Sequence, residues 1–293
     1  MSQAFTVKWG RHVLEMGPHP LIMGIINVTP DSFSDGGRYF SANKAVEHGE
    51  RLVRQGAHIL DIGGESTRPF SDPVSESEQI ERVVPVIKIL AQQQIPVPIS
   101  IDTTSAAVAK AALDAGASII NDISSLRADE TMGKLAAEAN VPLILMHMQG
   151  TPRNMQIDPK YNDLIGEIKS FFGAAVTRAK AAGVKKSQII IDPGIGFGKT
   201  VVHNLALIHQ INVFHSLNLP ILVGHSRKTF IRKTVSPSSK NDLSPDHPLV
   251  EIGTQAIVYA LATKGVHIIR VHNVANTVAT LKMVDALDKA GID

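Results

Sequence analysis

The segment IIIDPGIGFGKT, residues 189–200, places a carboxylate, three glycines and a Lys-Thr pair behind an apolar run, a composition typical of a phosphate-binding loop. Its spacing fits neither common nucleotide motif. A Walker A loop has glycine where this chain has Pro193, and the glycines follow G-x-G-x-G rather than G-x-G-x-x-G. The sequence instead predicts a buried strand that ends at Asp192, followed by a turn tight enough to require glycine.

Side chains able to contact a ligand follow most of the other apolar runs as well. At or just after the predicted strand ends lie Asn27, Glu65, Thr67, Arg68, Asp102, Asn121, Asp122, Met146, His147, Asp192, Ser226, Arg227, Lys228, Arg270 and His272. Each has a structural alternative when taken singly: Asp102 could cap a helix, and Asn121 could bond a neighbouring loop. That alternative is much weaker for the set as a whole.

The set combines two kinds of chemistry. Asp102, Asn121 and Asp192 offer acceptors and one amide donor, which suit a planar ring with an amino group and a ring N–H, such as a guanine-like or pterin edge. Thr229, just inside the helix predicted after the run 220–226, could hold an anion at the N-terminus of that helix. Donors suited to phosphate or carboxylate are Arg68, Lys228, Arg270 and His272. The sequence therefore predicts a site for a nitrogen heterocycle and one or more anions.

Metal binding has two possible forms. His147, His225 and His272 lie near three strand ends and could suggest zinc, but the first strand carries no His-x-His pair, so a histidine-based hydrolase is disfavoured. Asn27 offers a neutral oxygen ligand. It would suit Mg²⁺ whose remaining ligands are water and substrate phosphate.

The elements that must position these residues repeat along the chain. Eight apolar runs alternate with helical patterns, over 21–27, 58–64, 98–102, 118–124, 142–147, 189–193, 220–226 and 267–273. Continuous apolar runs indicate parallel strands that are covered on both faces. Eight such units predict a single-domain (β/α)8 TIM barrel, with a doubly wound sheet as the alternative. In a barrel the strand ends converge on one mouth.

Three further segments are predicted around this barrel. Residues 4–16 are expected to form a short hairpin that closes the barrel bottom, and a polar, Pro-rich loop over 236–248 should be followed by a second helix of the seventh unit. Long connections at 28–41 and 65–78 follow the first two strands. Connections of that length in a compact barrel usually carry function.

Composition excludes several classes of protein. The 293 residues are 44% hydrophobic with a formal net charge of +2 and no Lys/Arg block, so neither nucleic acid nor a membrane surface is an expected partner. Cysteine is absent, which rules out disulfides and thiolate metal sites. No apolar run approaches a membrane span, and a cytoplasmic location is the default expectation.

Seven motifs together point to a known family. They are GIINVTPDSFSDGG, DIGGESTRP, ISIDTTS, INDIS, DPGIGFGKT, GHSRK and IRVHN. In order and spacing, from about residue 20 to the C-terminus, the chain resembles dihydropteroate synthases. Two residues depart from the family pattern. Thr229 replaces the usual serine and keeps the hydroxyl, whereas Asn273 replaces the aspartate that commonly follows the histidine, so His272 lacks that carboxylate neighbour.

The resemblance implies an enzyme that joins 6-hydroxymethyl-7,8-dihydropterin diphosphate to p-aminobenzoate and releases pyrophosphate. It implies a pterin site made by Asp102, Asn121, Ile123, Met146, Asp192, Phe197 and Lys228. It places Mg²⁺ at Asn27, and the diphosphate at Asn27, Arg68, Arg270 and His272. It assigns the p-aminobenzoate site to Phe33, Asp35, Thr67, Arg68, Pro69 and Thr229. By the same resemblance Lys199 is expected at the surface or in a loop, and the protein is expected to be a homodimer.

The chemistry of this reaction favours a cation-first substitution. An arylamine is a weak neutral nucleophile, and the CH₂ carbon left by the diphosphate is conjugated with an electron-rich ring. Asp102 is expected to stabilise the cation, with Lys228, Arg270 and His272 as the other catalytic residues. Two alternatives remain: a pterin-dependent methyltransferase on the same barrel, and a barrel that only binds or stores pterin.

Overall fold

An N-terminal hairpin packs against one end of the molecule. The structure, a computed structural model, describes residues 3–29, 38–66, 71–238 and 242–291. Strands β1 (Phe5–Trp9) and β2 (His12–Met16) pair antiparallel and bury alternate side chains. The imidazole of His267 stands edge-on to Phe5 at 5.0 Å and, because its Nδ1 accepts from a backbone N–H, its Nε2 donates to the Gln3 carbonyl at 2.9 Å. This confirms the predicted hairpin.

Eight parallel strands of the described chain form the barrel. They are β3 (Leu21–Asn27), β4 (Ile59–Gly63), β5 (Ile99–Asp102), β6 (Ile119–Asp122), β7 (Leu143–Met146), β8 (Ile189–Asp192), β9 (Leu222–Gly224) and β10 (Ile268–Val271). Their hydrogen-bonded order is β8-β7-β6-β5-β4-β3-β10-β9. A bridge between Ile191 and Ile221 joins the two outer strands and closes the ring. The (β/α)8 barrel is therefore confirmed, and the doubly wound sheet, which would have two open edges, is wrong.

Helices cover the outside of the barrel. They are α1 (Arg38–Arg54), α2 (Glu76–Gln92), α3 (Ala106–Ala115), α4 (Met132–Ala139), α5 (Leu164–Ala181), α6 (Val201–His209), α7 (Thr229–Thr234), α8 (Pro248–Thr263) and α9 (Val274–Ala290). The second helix of the seventh unit is confirmed as α8, which has Pro248 in its first turn. None of the helices in the described ranges is both long enough and apolar enough to cross a membrane.

Two predicted loops end earlier than expected. The connection predicted over 28–41 ends before α1 begins at Arg38, and the one predicted over 65–78 ends before α2 begins at Glu76. Ser75 is the N-cap of α2, and its hydroxyl accepts from the Glu78 N–H at 3.3 Å. Glu76 and Glu78 belong to the first turn of α2, where acidic side chains are favoured. Because that turn is as polar as the loop before it, the change from loop to helix could not be located from the polar composition.

The strands are buried on both faces, and this positions the site. Nearly every apolar side chain of the barrel strands is inaccessible to solvent, packed either inside the ring or under the helices. All eight strands run in one direction, so their carboxyl ends open on a single mouth. The hairpin and His267 lie at the opposite end.

The cap of α5 gives a test of the fold that lies outside the mouth. Asp163 accepts from the Gly166 N–H through Oδ1 at 3.0 Å. We predict that Asp163→Ala lowers the free energy of unfolding by about 1 kcal/mol, since it leaves a helical N–H without its partner. Urea denaturation measures the change. Asp114→Ala removes only an exposed ion pair with Lys110 and should cost less than about 0.5 kcal/mol. Equal losses in the two variants would contradict the capping role.

Candidate active site at the barrel mouth

A guanidinium held between two carboxylates occupies the centre of the mouth. Arg270 on β10 donates from Nε to Asp61 Oδ2 at 2.6 Å and from Nη2 to Asp102 Oδ2 at 2.9 Å. Asp61 is fully buried, and the side chains of Asp102 and Arg270 are only 11% and 18% exposed. Buried charges of one sign need partners of the other, and these three side chains tie β4, β5 and β10 together.

The same arrangement sets the protonation of the group. Burial by itself would lower the pKa of Arg270, but the Asp61 and Asp102 carboxylates outweigh it and raise that pKa, so the guanidinium stays charged. Burial raises the pKa of Asp102 to about 7; Arg270 acts against this rise, while the negative charge of Asp61 adds to it. Asp102 is therefore poised to change its charge near neutral pH.

Asn121 has an amide orientation that follows from its neighbour. Its Nδ2 donates to Asp61 Oδ2 at 3.2 Å. A carboxylate that also receives the Arg270 Nε can only accept here, so the nitrogen of the amide must face it. The Asn121 Oδ1 accepts no hydrogen bond from the part of the chain that the structure describes. It remains available as an acceptor beside Asp102, its pairing partner across β5 and β6.

Asp61 was missed in the sequence because it lies in the middle of an apolar run rather than at its end. The run ILDIGG contains this single charge, and a lone carboxylate inside a strand that is buried on both faces was the available signal. The reverse holds for Asp122, which ends β6 but turns away. Its oxygens accept from the Ser124 and Leu126 backbone N–H groups at 2.7 and 2.6 Å, so it braces the following turn.

Asp192 and Lys228 form the opposite side of the mouth. The Oδ1 of Asp192 accepts from the Gly194 N–H at 2.8 Å, and burial raises the pKa of Asp192, with Lys228 acting against the rise. The Lys228 ammonium donates to the Ile195 carbonyl and lies 4.3 Å from the centre of the Phe197 ring. Burial lowers the pKa of Lys228 to about 7, and the Asp192 carboxylate opposes this.

A small apolar cluster, separate from the main core, lies at the same end of the barrel. It consists of Ile123, Met146, Met148, Met155 and Phe197. The three of these predicted from the sequence are thus brought together. Met148 and Met155 were missed, since methionines in a connecting segment carry no positional signal. A flat apolar wall of this kind suits one face of a planar ring.

Lys199 lies in the loop between β8 and α6, which was one of the two expected positions, but the other expected position, at the surface, is wrong. Its side chain is buried, with the residue 3% exposed, and its Nζ contacts His147 Nδ1 at 2.9 Å and the carbonyls of Gly194 and Phe197, each at 3.0 Å. Burial lowers the pKa of Lys199 well below its ordinary value. Three acceptors converge on Nζ, so Lys199 joins the turn that carries Phe197 to His147 at the end of β7.

The histidines do not converge on a metal. Burial, followed by the charge of Lys199, lowers the pKa of His147 to about 2, so its Nδ1 is a neutral acceptor for Lys199. His225 is fully buried against α8, where its Nε2 and the Thr254 carbonyl are 3.1 Å apart. Among the described residues, no group of three or more His, Asp or Glu side chains could hold a metal ion.

His272 is supported by a hydroxyl. Its Nδ1 lies 3.0 Å from the Ser226 Oγ, and its backbone N–H also reaches this atom, at 3.3 Å. Asn273 has a different task, because its Oδ1 accepts from the Asn276 N–H at 3.0 Å and caps α9. The asparagine thus fulfils a capping role that an aspartate could also fulfil.

Asn27 and Thr229 complete the described part of the mouth. Asn27 ends β3 and is half-buried, and its side chain makes no hydrogen bond to any residue within the described ranges. Thr229 is exposed and begins α7. Five predicted residues lie outside the described residues, namely Phe33, Asp35, Thr67, Arg68 and Pro69. Their roles toward p-aminobenzoate and diphosphate stay predictions.

Comparisons with known proteins agree on one family. A family model described as pterin binding enzyme matches residues 23–272. The chain is 46% identical over 273 residues to the dihydropteroate synthase of Bacillus subtilis, and the match covers 93% of this chain and 90% of that protein. Relatives of similar length and identity carry the same name in Escherichia coli, at 44% over 92% of both chains.

Solved structures show the same likeness. The Yersinia pestis dihydropteroate synthase, solved with a sulfonamide drug complex, superposes with a TM-score of 0.87 at 42% identity, over 98% of this chain and all of that one. The Xanthomonas albilineans enzyme, solved with 4-aminobenzoic acid, gives a TM-score of 0.88 at 37% identity over 98% and 99% of the two chains. That enzyme has also been solved in complex with 7,8-dihydropteroate.

The turn after Asp192 provides a prediction about the mouth. Gly194 has φ of +68°, and a Cβ built there would overlap the carbonyl oxygen of His147. We predict that Gly194→Ala lowers the free energy of unfolding by roughly 1–3 kcal/mol, because both the backbone conformation and the close approach resist a side chain. Gly173, inside α5 with open space around it, is the control, and Gly173→Ala should be neutral or stabilising. A Gly194→Ala protein as stable as the unsubstituted chain in urea denaturation would disprove the requirement.

Proposed function

The chain belongs to the dihydropteroate synthase family of pterin-binding enzymes, and we propose that its barrel mouth joins 6-hydroxymethyl-7,8-dihydropterin diphosphate to p-aminobenzoate. The products are 7,8-dihydropteroate and pyrophosphate, which makes the protein a transferase of folate biosynthesis. The observation that carries this proposal is the grouping of Asp102, Asn121 and Asp192 around one mouth. All three offer acceptor oxygens, and they lie with the Phe197 cluster on one side and Arg270 on the other.

The pterin is recognised by its donor edge. Asp192 is suited to receive the 2-amino group and a ring N–H, since an ionised carboxylate is an acceptor only. Asn121 Oδ1 and Asp102 add acceptors, and Lys228 supplies a donor for a ring oxygen or nitrogen. Ile123, Met146 and Phe197 pack on the face of the ring. The ammonium of Lys228 beside Phe197 keeps a positive charge next to the bound ring.

The diphosphate is bound by cations and a metal-ligating amide at the mouth. Arg270 uses Nε and Nη2 for carboxylates, which leaves its Nη1 for an anion, and His272 follows it on the same strand end. Asn27 fits Mg²⁺, because this ion takes few protein ligands when it is bound to a phosphate substrate, and the Asn27 amide has no partner among the described residues. When bound, Mg²⁺ would neutralise charge on the leaving pyrophosphate.

The residues of this chain favour ionisation before attack. As the C–O bond to the diphosphate breaks, positive charge develops on the exocyclic carbon and spreads into the dihydropterin ring. Asp102 is suited to stabilise this charge when ionised, and Arg270 and His272 balance the charge of the departing diphosphate. The p-aminobenzoate nitrogen then attacks the carbon and loses a proton. Thr229 and Lys228 border the place for its carboxylate.

A homodimer is part of the proposal. Exposed apolar side chains lie on α6, α8 and α9, which pack side by side: Val202, Leu205, Ile252, Tyr259, Met283 and Leu287. Apolar surface spread over adjacent helices is typical of a protein–protein interface. The cytoplasmic location and the absence of nucleic-acid and membrane partners stay predictions.

Pyrophosphate release tests the function directly. Purified protein is mixed with the pterin diphosphate, p-aminobenzoate and Mg²⁺, and released pyrophosphate is measured together with dihydropteroate. One pyrophosphate per dihydropteroate supports the synthase. Pterin binding without release would favour a storage role, and activity only with methyltetrahydrofolate and a corrinoid acceptor would favour the methyltransferase, which the relatives do not favour.

Asp192→Asn tests the donor-edge recognition. The amide would present N–H groups toward the donors of the ring, and an unpaired buried donor costs about 1–3 kcal/mol, so we predict at least about a tenfold loss of affinity for 6-hydroxymethylpterin. Isothermal titration calorimetry gives the affinity. Asp122→Asn is the control, since within the described ranges that carboxylate bonds only Ser124 and Leu126. Unchanged pterin affinity in Asp192→Asn would contradict the role of Asp192 as the acceptor for the donor edge of the ring.

Arg270→Ala and Asn27→Ala test the diphosphate site. We predict that both variants lose more affinity for the pterin diphosphate than for 6-hydroxymethylpterin, because the removed groups face the anion. The difference should be about tenfold or more for Arg270→Ala, which removes charge-assisted hydrogen bonds. For Asn27→Ala it should appear only when Mg²⁺ is present. Calorimetry measures the affinities for both ligands, with and without Mg²⁺. Equal losses of affinity for the two ligands would contradict these roles.

A further inference from the structure

A buried carboxylate beneath the mouth has no place in the reaction as described so far. Asp61 lies in the middle of β4, two residues before Gly63, which pairs with Asp102. At about 3.3 Å per residue, it lies one layer deeper in the barrel than the residues that line the mouth. It has no accessible surface, so it cannot touch a substrate and can act only through its neighbours.

Those neighbours are two residues to which the proposed function gives direct roles. The same atom, Asp61 Oδ2, accepts from Arg270 Nε at 2.6 Å and from Asn121 Nδ2 at 3.2 Å. The bond to Nε fixes the plane of the guanidinium, so that Nη2 meets Asp102 at 2.9 Å. The bond to Nδ2 fixes the amide, so that the Asn121 oxygen is the free acceptor.

Apart from compensating the charge of Arg270, this position has the surroundings of an apolar residue. Its chain neighbours Leu60 and Ile62 are fully buried and apolar, as is usual in this barrel. The other oxygen of Asp61, Oδ1, is buried without a hydrogen-bond partner among the residues that the structure describes. A buried charge with an unsatisfied atom is costly, and an apolar residue of similar size is often as stable or more so.

We propose that Asp61 is a positioning residue for the proposed reaction: it aims the Arg270 guanidinium at Asp102 and the diphosphate, and it turns the Asn121 oxygen toward the pterin. This inference rests on the proposed function, because Arg270 and Asn121 matter only if the mouth binds these two groups. In this proposal one buried atom, Asp61 Oδ2, orients two groups. These are the Arg270 guanidinium, which donates to the leaving diphosphate, and the Asn121 oxygen, which accepts from the pterin ring.

The charge of Asp61 also has a consequence that a packing role would not have. After burial, the charges of Asp61 and then of Asp122 raise the pKa of Asp102, whereas those of Arg270 and Lys228 lower it. Removing the Asp61 charge removes that repulsion and leaves Arg270 with one carboxylate instead of two. The pKa of Asp102 should then fall below about 7. Because Asp102 acts as an anion, activity would persist to lower pH.

Asp61→Asn, which keeps the shape and removes the charge, tests the proposal. We expect KM for the pterin diphosphate to rise about tenfold or more, since charge-assisted bonds to Arg270 are lost. KM for p-aminobenzoate should change less than about threefold, because the described hydrogen bonds of Asp61 go to Arg270 and Asn121, and neither is assigned to that site. The acid limb of kcat should move to lower pH. Asp61→Ser, which leaves room for a water molecule, is the second variant and should show the same pattern if Asp61→Asn folds poorly.

Asp122→Asn serves as the matched control. It neutralises a buried carboxylate on β6 whose described hydrogen bonds go to Ser124 and Leu126, and to neither Arg270 nor the Asn121 side chain. It should therefore lower the melting temperature while leaving KM near that of the unsubstituted protein, and it should move the acid limb less than Asp61→Asn does. Asp61 variants that lose melting temperature but keep both KM values and the acid limb would overturn the proposal.

Failure of the inference and failure of the proposed function give different results. If the unsubstituted protein releases no pyrophosphate, the proposed function fails, and calorimetry with 6-hydroxymethylpterin and with Mg²⁺-pyrophosphate still compares Asp61→Asn with Asp122→Asn. If the unsubstituted protein is active and Asp61→Asn binds both ligands with the same affinities as the unsubstituted protein, the proposed function stands and only the positioning role of Asp61 is disproved.

Discussion

The ion pair of Arg270 with Asp61 and Asp102 is the constraint around which the mouth is organised. A guanidinium inside a barrel is tolerable only when carboxylates compensate it, and these come from β4 and β5 while the arginine comes from β10. The arrangement requires the neighbouring strands β10, β3, β4 and β5 to keep a fixed register. Burial raises the pKa of Asp102 to about 7, and the charges of Arg270 and Asp61 act on it in opposite directions.

The other side of the mouth depends on a second buried cation. Lys199 bonds two carbonyls of the turn after β8 and the imidazole of His147. These bonds fix the position of Phe197 and of the Ile195 carbonyl, which accepts from Lys228. On both sides, therefore, a buried basic side chain fixes groups that line the mouth. Arg270 bonds two carboxylates, whereas the described hydrogen bonds of Lys199 go to neutral acceptors. Burial lowers the pKa of Lys199, and the Asp192 carboxylate opposes this.

The sequence predicted the barrel and most of the residues at its mouth, because parallel strands have continuous apolar runs and a barrel brings their ends together. Asp102, Asn121, Asp192 and Arg270 were found by their position at those ends. Position failed for residues whose importance depends on packing. Asp61 lies within a run, and Lys199 follows a glycine-rich turn as a surface lysine would, yet both are buried. Neither contact follows from spacing, since their partners lie on other strands or in the backbone of a folded turn.

The most direct test of the whole account is the choice between two rings that differ at one position. Calorimetry should compare 6-hydroxymethylpterin with the corresponding lumazine, in which a carbonyl replaces the 2-amino group. Acceptors on Asp102, Asn121 and Asp192 would meet a donor in the first ring and another acceptor in the second. We predict that the lumazine binds at least about tenfold more weakly, as expected when buried polar groups lose their partners. Equal affinity for the two rings would contradict recognition by the donor edge, and with it the proposed arrangement of the mouth.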